Sequence, residues 1–153
     1  MKRLCSFLLA LLALTVLTVP AGAEELAVEA EACLLMEKTT GEVLYAVNEH
    51  EPLEPASVTK IMTILLVMEA IDSGQLQYGD VVTASAHACS MGGSQIWLKE
   101  NEQMTVDEML KAVCVVSAND CSVALAEAVS GSEEAFVEKM NQRAAELGMA
   151  DTT

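Results

Sequence analysis

The stretch PASVTKIMTILLVMEAIDSG, residues 55–74, decides the fold of this chain. Between Val58 and Ile71 most residues are apolar and none is glycine or proline, which predicts a helix that ends at a Gly74 C-cap. A helix that is apolar nearly all round is buried on most of its sides. We therefore expect this helix to be central and covered on most sides.

Short strands are predicted on both sides of the central helix. Two apolar runs, residues 32–37 and 43–47, flank a polar turn at 38–42 and predict a β-hairpin. Residues 81–83 and 95–98 are predicted as further short strands. Together these segments supply a fragment of a sheet.

Three more helices are predicted in the second half of the chain. Thr105 and Glu108 have the spacing of a capping box, which predicts a helix from there to Val116. Helical patterns over residues 120–129 and 132–147 are each closed by a glycine within the next two positions. The expected fold class is therefore α/β (α+β), a helical body on a fragment of sheet.

Residues 1–23 have the pattern of a secretory signal peptide. A basic start precedes an apolar run over residues 4–19, and small residues lead to a cleavage site after Ala23. The alternative, a membrane anchor, is disfavoured because a membrane-crossing helix needs about 20 apolar residues. The signal predicts an exported protein whose mature part, residues 24–153, is one domain.

The chain is strongly acidic, with 8 Lys and Arg against 23 Asp and Glu and a formal net charge of −15. Such a surface repels nucleic acid and anionic lipid, so we expect neither as a partner. The cysteines and histidines lack zinc-binding spacing, so no metal is expected. Export permits disulfides, but irregular spacing among apolar residues favours buried free thiols. The four cysteines concerned are Cys33, Cys89, Cys114 and Cys121.

Two short motifs indicate serine acyl-transfer chemistry. Ser57 and Lys60 are three residues apart at the start of the central helix, so they share a face and the amine can take the hydroxyl proton. The N-terminus of that helix also offers N–H groups to a developing oxyanion. In the second motif, Ser117 can pass a proton to the leaving nitrogen and Asn119 can hold a substrate amide.

Each motif also has a purely structural explanation. Ser57 can be a helix N-cap with Lys60 turned to solvent, and Ser117 with Asn119 can form the cap of the helix that follows. The apolar character of the central helix argues against the first explanation, because a buried amine needs a reason. Each motif occurs once in the chain.

The motifs and their surroundings resemble the serine-type D-alanyl-D-alanine carboxypeptidases, the low-molecular-mass penicillin-binding proteins. The resemblance extends from about Glu31 to Thr153. Ala118 fits this family better than the class A β-lactamases, which have Asp at that place. The most similar segments are residues 55–63, 92–98, 116–120 and 144–149.

The resemblance implies a partial penicillin-binding-protein and β-lactamase-like transpeptidase fold, with a helical subdomain and an incomplete antiparallel sheet. It implies an enzyme on the extracytoplasmic face of the bacterial membrane that removes the terminal D-alanine from peptidoglycan stem peptides. Ser57 would form the acyl-enzyme, Lys60 would be the base, and Ser117 and Asn119 would complete the cleft. β-Lactam antibiotics would be covalent inhibitors, and no metal or organic cofactor is implied.

The third motif of the family, a K-T-G strand, does not occur in these residues. The segment KTTG at 38–41 has an extra Thr and precedes the nucleophile, so it predicts a turn. We therefore expect a C-terminally truncated chain that is inactive and poorly stable by itself, with membrane anchoring only through absent parts. A β-lactamase of the same fold and a non-catalytic peptidoglycan-binding envelope protein stay open as alternatives.

Overall fold

The computed structural model describes residues 26–153, so the predicted signal peptide lies outside the described residues. The chain divides into two compact units, the first ending at Glu51 and the second spanning Pro52–Thr153. The first unit carries the strands that precede the central helix, and the second carries that helix and everything after it.

The described part of the first unit contains a β-hairpin. Strands β1 (Cys33–Met36) and β2 (Val43–Val47) pair in antiparallel orientation. Between them the Glu37 carboxylate accepts hydrogen bonds from the backbone N–H groups two and three residues later. These bonds lower the pKa of Glu37 to about 2. The predicted hairpin is confirmed, and so is the predicted turn over residues 38–41.

The second unit is mainly helical. In chain order its elements are a 3-10 turn (Ala56–Thr59), α1 (Lys60–Asp72), β3 (Val81–Thr83), α2 (Ala86–Cys89), β4 (Gln103–Thr105), α3 (Val106–Val116), α4 (Asn119–Ser130) and α5 (Glu133–Glu146). The four predicted helices and the strand at 81–83 are confirmed. The capping box is also present, with Thr105 and Glu108 bonding each other's backbone N–H groups.

The strand predicted at residues 95–98 is wrong. This segment is a loop, and β3 pairs with β4 instead. Trp97 has a φ of 61°, which no strand residue adopts. The backbone N–H groups of Ile96 and Leu98 donate to the carboxylate of Asp120 and so are not available to a neighbouring strand.

The core of the second unit is built around α4, which packs against α1, α2, α3 and α5. The central helix α1 contributes Leu66 and Val67, which are fully buried. Within α1 only Ile61 and Asp72 are exposed, so the predicted cover on most sides is confirmed. An apolar strip is nevertheless open, because Val58 in the 3-10 turn is 61% exposed and Ile61 is 68% exposed.

All four cysteines of the described residues are free thiols. Cys121 is fully buried, and burial together with the nearby Asp120 charge raises the pKa of its thiol to about 12. Cys33 and Cys89 are half-buried. Cys114 is exposed, because it lies outside the buried face of α3, so the prediction of a buried thiol is wrong for this residue.

Candidate active site

Ser57 and Lys60 lie one turn apart, where the 3-10 turn continues into α1. Lys60 Nζ donates a hydrogen bond to Ser57 Oγ at 3.3 Å. Ser57 is exposed, whereas Lys60 is half-buried. Ser57 is inside the 3-10 turn and caps no helix, and Lys60 does not turn away into solvent. The structural explanation of this motif therefore fails, and the hydroxyl and the amine meet as the spacing predicts.

Asn119 joins the two motifs. Its Oδ1 accepts a hydrogen bond from Lys60 Nζ at 2.5 Å. Its Nδ2 donates to the carbonyl of Gly92 at 2.7 Å, and its backbone N–H donates to the carbonyl of Ser94, also at 2.7 Å. A carbonyl can only accept, so the bond to Gly92 orients the Asn119 amide with its oxygen towards the amine. The first residue of α4 is thereby tied to the first residue of α1.

Ser117 lies between α3 and α4 and makes no hydrogen bond to Lys60. It ends α3 in the left-handed conformation, with a φ of 60° and a ψ of 38°. Its Oγ is buried and has no hydrogen-bond partner among the described residues. A buried hydroxyl without a hydrogen-bond partner lowers the stability of a protein by about 1–3 kcal/mol. Strained backbone of this kind concentrates at functional sites. The role of Ser117 as a proton relay stays a prediction.

A cleft of about 500 Å³ is lined by Ser57, Lys60 and Asn119 at the point where α1 and α4 begin. Among the described residues of its lining, Lys60 is the only basic side chain and Glu133 the only acidic one. Apolar walls with a few convergent polar groups are the usual composition of a small-molecule site. The apolar lining side chains beyond the first turn of α1 are Met91, Val123, Ala126, Phe136, Val137 and Met140.

An ion pair connects α2 to the first turn of α5. His87 Nε2 lies 2.6 Å from Glu133 Oε2, and Glu133 is one of the residues that line the cleft. The hydrogen bond to Glu133 raises the pKa of His87 above its usual 6.5, and the charges of Glu127 and Glu134 act in the same direction. The pair therefore binds most strongly when His87 carries its proton.

Asp120 is a residue of the site region that sequence reasoning missed. It is fully buried, and its carboxylate accepts hydrogen bonds from the backbone N–H groups of Ile96 and Leu98 and of the next residue of α4. These bonds hold the loop at residues 92–98 against the start of α4. The sequence carries only a weak signal for this burial, because an acidic residue in the first turn of a helix is ordinarily exposed and favoured by the helix dipole.

The site offers a hydroxyl, an amine and an amide, whereas resident metal sites are built mainly from carboxylates, imidazoles and thiolates. Within residues 26–153 no cluster of three or more His, Cys, Asp or Glu side chains could hold a metal ion. In the same part of the chain, no helix is both long enough and apolar enough to cross a membrane.

Comparison with known proteins identifies relatives of this chain. The sequence model of the peptidase S11 family, D-alanyl-D-alanine carboxypeptidase, matches residues 19–153. The D-alanyl-D-alanine carboxypeptidase DacF of Bacillus subtilis is 52% identical, over 100% of this chain and 41% of its own length. This chain therefore spans about two fifths of that relative.

Two solved structures are similar as well. Penicillin-binding protein 5 from Haemophilus influenzae has a TM-score of 0.80 and 35% identity, covering 86% of this chain and 39% of that one. Penicillin-binding protein D2 from Listeria monocytogenes, in its ampicillin-bound form, has a TM-score of 0.75 and 27% identity, covering 85% of this chain and 52% of that one.

The structural neighbours confirm the predicted fold class, a partial penicillin-binding-protein fold with a helical subdomain and short antiparallel strands. The family match includes both Ser57 with Lys60 and Ser117 with Asn119, in the order that the sequence predicts. The resemblance stated from the motifs is therefore confirmed: the chain belongs to the D-alanyl-D-alanine carboxypeptidase family.

Proposed function

We propose that the protein carrying this chain is a serine-type D-alanyl-D-alanine carboxypeptidase that removes the terminal D-alanine from peptidoglycan stem peptides. The observation that carries the proposal is the 3.3 Å contact between Lys60 Nζ and Ser57 Oγ at a cleft. This contact is the local requirement for a serine nucleophile with an amine base. The substrate class follows from the family, because the relatives carry the name of this reaction.

The proposed reaction has two steps through an ester. Ser57 Oγ attacks the carbonyl carbon between the two D-alanines, and its proton passes to the Lys60 amine. The C–N bond then breaks, the leaving nitrogen takes up a proton, and free D-alanine departs. Water attacks the Ser57 ester, gives a proton to the same amine, and releases the shortened peptide with the Ser57 hydroxyl restored.

Ser117 and Asn119 have supporting roles in this scheme. We assign to Ser117 the delivery of the proton to the leaving nitrogen, as the second motif of the family implies; its hydroxyl has no other partner among the described residues, although Ser117 is not among the residues that line the cleft. We assign to Asn119 the binding of a substrate amide. Its Oδ1 already accepts a bond from Lys60 and, as a carbonyl oxygen, has a second lone pair to offer. Asn119 would thus place the base and the substrate relative to each other.

A β-lactam would acylate Ser57 by the same attack, with the opened ring remaining attached. The Listeria relative whose structure holds ampicillin supports this proposal. The substrate lies in the bacterial cell wall, so the enzyme would act on the extracytoplasmic face of the membrane. The signal pattern at the start of the chain supports that location.

Labelling with a fluorescent penicillin tests the proposal in the full-length protein. We expect a covalent adduct on Ser57 that is lost in Ser57→Ala. Lys60→Ala should slow adduct formation about 10²- to 10⁴-fold, the usual contribution of a general base. Ser90→Ala is the matched control, because Ser90 is an exposed serine bonded to the carbonyl of His87. Release of D-alanine from a peptide ending in D-alanyl-D-alanine should follow the same order of variants.

Three results would contradict the proposal in different ways. Persistent labelling of Ser57→Ala would remove Ser57 as the nucleophile. Repeated release of hydrolysed penicillin would identify a β-lactamase instead. Binding to cell walls that is unchanged in Ser57→Ala, without any adduct in the unsubstituted protein, would identify a non-catalytic binding protein.

A further inference from the structure

The loop at residues 92–98, here called the clamp loop, is held on one side by a buried carboxylate. Asp120 is fully buried and accepts hydrogen bonds from the backbone N–H of Leu98 at 3.0 Å and of Ile96 at 3.2 Å. It also accepts from the N–H of Cys121 at 2.9 Å. Among the described residues no cation pairs with it, so backbone N–H groups alone compensate its charge.

The other side of the clamp loop holds Asn119. The carbonyl of Gly92 accepts from Asn119 Nδ2, and the carbonyl of Ser94 accepts from the Asn119 backbone N–H. Between them Gly93 has a φ of 75°, and a Cβ at this position would lie 2.9 Å from Asn119 Nδ2. Glycine is therefore required both for the backbone conformation and for the close approach of the loop to the amide.

The contacts on the two sides of the clamp loop connect Asp120 to the amine of Lys60. Asp120 fixes the loop, the loop fixes the orientation of the Asn119 amide, and the amide oxygen accepts a bond from Lys60 Nζ. We propose that Asp120 is a positioning residue for the Lys60 base, acting through the clamp loop and Asn119. This inference rests on the proposed function, because it assigns Asp120 to the acyl-transfer reaction of the same site.

The geometry requires a carboxylate and not its amide. Asp120 Oδ1 accepts from Cys121 and Ile96, and Oδ2 accepts from Ile96 and Leu98. In Asp120→Asn one of the two oxygens becomes an NH2 group, which can only donate. Either orientation of the new amide therefore faces at least one backbone N–H with another donor and leaves it unpaired.

The principal test is Asp120→Asn in the full-length protein, with two measurements. Hydrogen–deuterium exchange of peptides from residues 92–98 should rise about tenfold or more, because buried N–H groups lose their acceptor. The rate constant of Ser57 acylation by labelled penicillin should fall about 10- to 100-fold, the cost of a small misplacement of a catalytic group. The non-covalent dissociation constant of the penicillin should rise by a smaller factor, because Asn119 also binds the substrate amide.

Gly93→Ala is the second variant and covers the case in which Asp120→Asn does not fold. Its Cβ displaces the Asn119 amide and strains the left-handed backbone at residue 93, while the carboxylate of Asp120 is unchanged. We expect slow acylation, with a smaller rise in exchange at Ile96 and Leu98 than in Asp120→Asn. Gly79→Ala is the control, since a Cβ at Gly79 meets no atom within 4 Å and its backbone needs no left-handed conformation.

The acylation rate constant refers only to molecules that can be labelled, and the final extent of labelling gives their number. A purely structural role of Asp120 would lower that number and leave the rate constant unchanged. Unchanged exchange at the clamp loop in Asp120→Asn would overturn the proposal, and so would a loosened loop with a normal rate constant. A slow rate in both variants, with Gly79→Ala normal, would support it. If the unsubstituted protein forms no adduct, the proposed function fails and the positioning role fails with it, while the exchange data still report on the clamp loop.

Discussion

An ion pair connects α1, the helix that begins at Lys60, to α5, a helix that lines the cleft. Arg143 Nε and Nη2 both donate to Glu69 Oε1, each at 2.9 Å. The side chains of Arg143 and Glu69 are 29% and 36% exposed. Arg143 Nη1 also contacts Glu146 Oε2 of the same helix at 3.2 Å, but Glu146 is 50% exposed. The two contacts provide an internal comparison between partly buried and exposed pairing.

Removing the pair should lower the free energy of unfolding by an amount that the geometry sets. Exposed ion pairs contribute about 0.2–1 kcal/mol, and hydrogen bonds to charged groups about 1.5–3 kcal/mol. Glu69 and Arg143 share two N–H···O contacts and have about two thirds of their side-chain surface covered. We therefore expect a coupling energy of about 1 kcal/mol between them, against about 0.3–0.5 kcal/mol for the exposed pair within α5.

A double-mutant cycle measures this coupling. Glu69→Ala, Arg143→Ala and the double variant are unfolded in urea, and the cycle isolates the pairwise energy from the loss of packing. The same cycle with Glu146→Ala serves as the matched control. In high salt the coupling of the exposed pair should fall more than that of the covered pair, because exposed charges are screened more strongly.

A coupling energy for Glu69 with Arg143 no larger than that for Glu146 with Arg143 would refute this reasoning. It would mean that the connection of α1 to α5 depends on apolar packing alone. A coupling that vanishes in high salt would equally show that the pair behaves as a surface contact in solution.

Three further outcomes are expected. The bond from His87 to Glu133 raises the pKa of His87, so the stability that His87→Ala removes is fully present below pH 6.5 and is lost as pH rises through the folded-state pKa. Urea unfolding of both proteins across this pH range would show the change, and a difference in stability that does not depend on pH would contradict it. Cys114 should react with a thiol reagent rapidly, whereas Cys121 should react only when the protein unfolds, and mass spectrometry of the labelled peptides measures both rates. Equal rates of labelling at the two cysteines would contradict the described burial. Ser117→Gly should raise the free energy of unfolding by about 1 kcal/mol, because it removes the strain of a left-handed serine, and it should slow acylation of Ser57. A lower free energy of unfolding would be evidence against strain at this position.

The parts of the fold that local sequence determines are those that could be predicted. The helix over α1, the capping box at Thr105 and the hairpin turn at Glu37 depend on contacts between residues at most a few positions apart. The 3.3 Å contact of Ser57 with Lys60 is of the same kind, because it follows from one turn of helix. Spacing was therefore sufficient to predict that the hydroxyl of Ser57 and the amine of Lys60 meet.

The rest depends on contacts between distant parts of the chain. The segment at 95–98 looks like a strand by composition, but its N–H groups bond to Asp120, more than 20 residues away in the sequence. The short strand β4 was not predicted, because its pairing with β3 rather than its composition defines it. The orientation of Asn119 likewise depends on the carbonyl of Gly92, 27 residues earlier. No local pattern contains this information.

The two serines of the site differ in how the surrounding structure satisfies them. Ser57 is exposed and accepts a bond from Lys60, so its hydroxyl is both solvated and paired. Ser117 is held in a strained conformation with a buried, unpaired hydroxyl, a combination that costs stability in the described structure. Glycine would fit the left-handed conformation better, so the backbone conformation alone does not explain a serine at this position. The proposed proton transfer would explain it, because the hydroxyl would then gain a partner in the leaving nitrogen of the substrate.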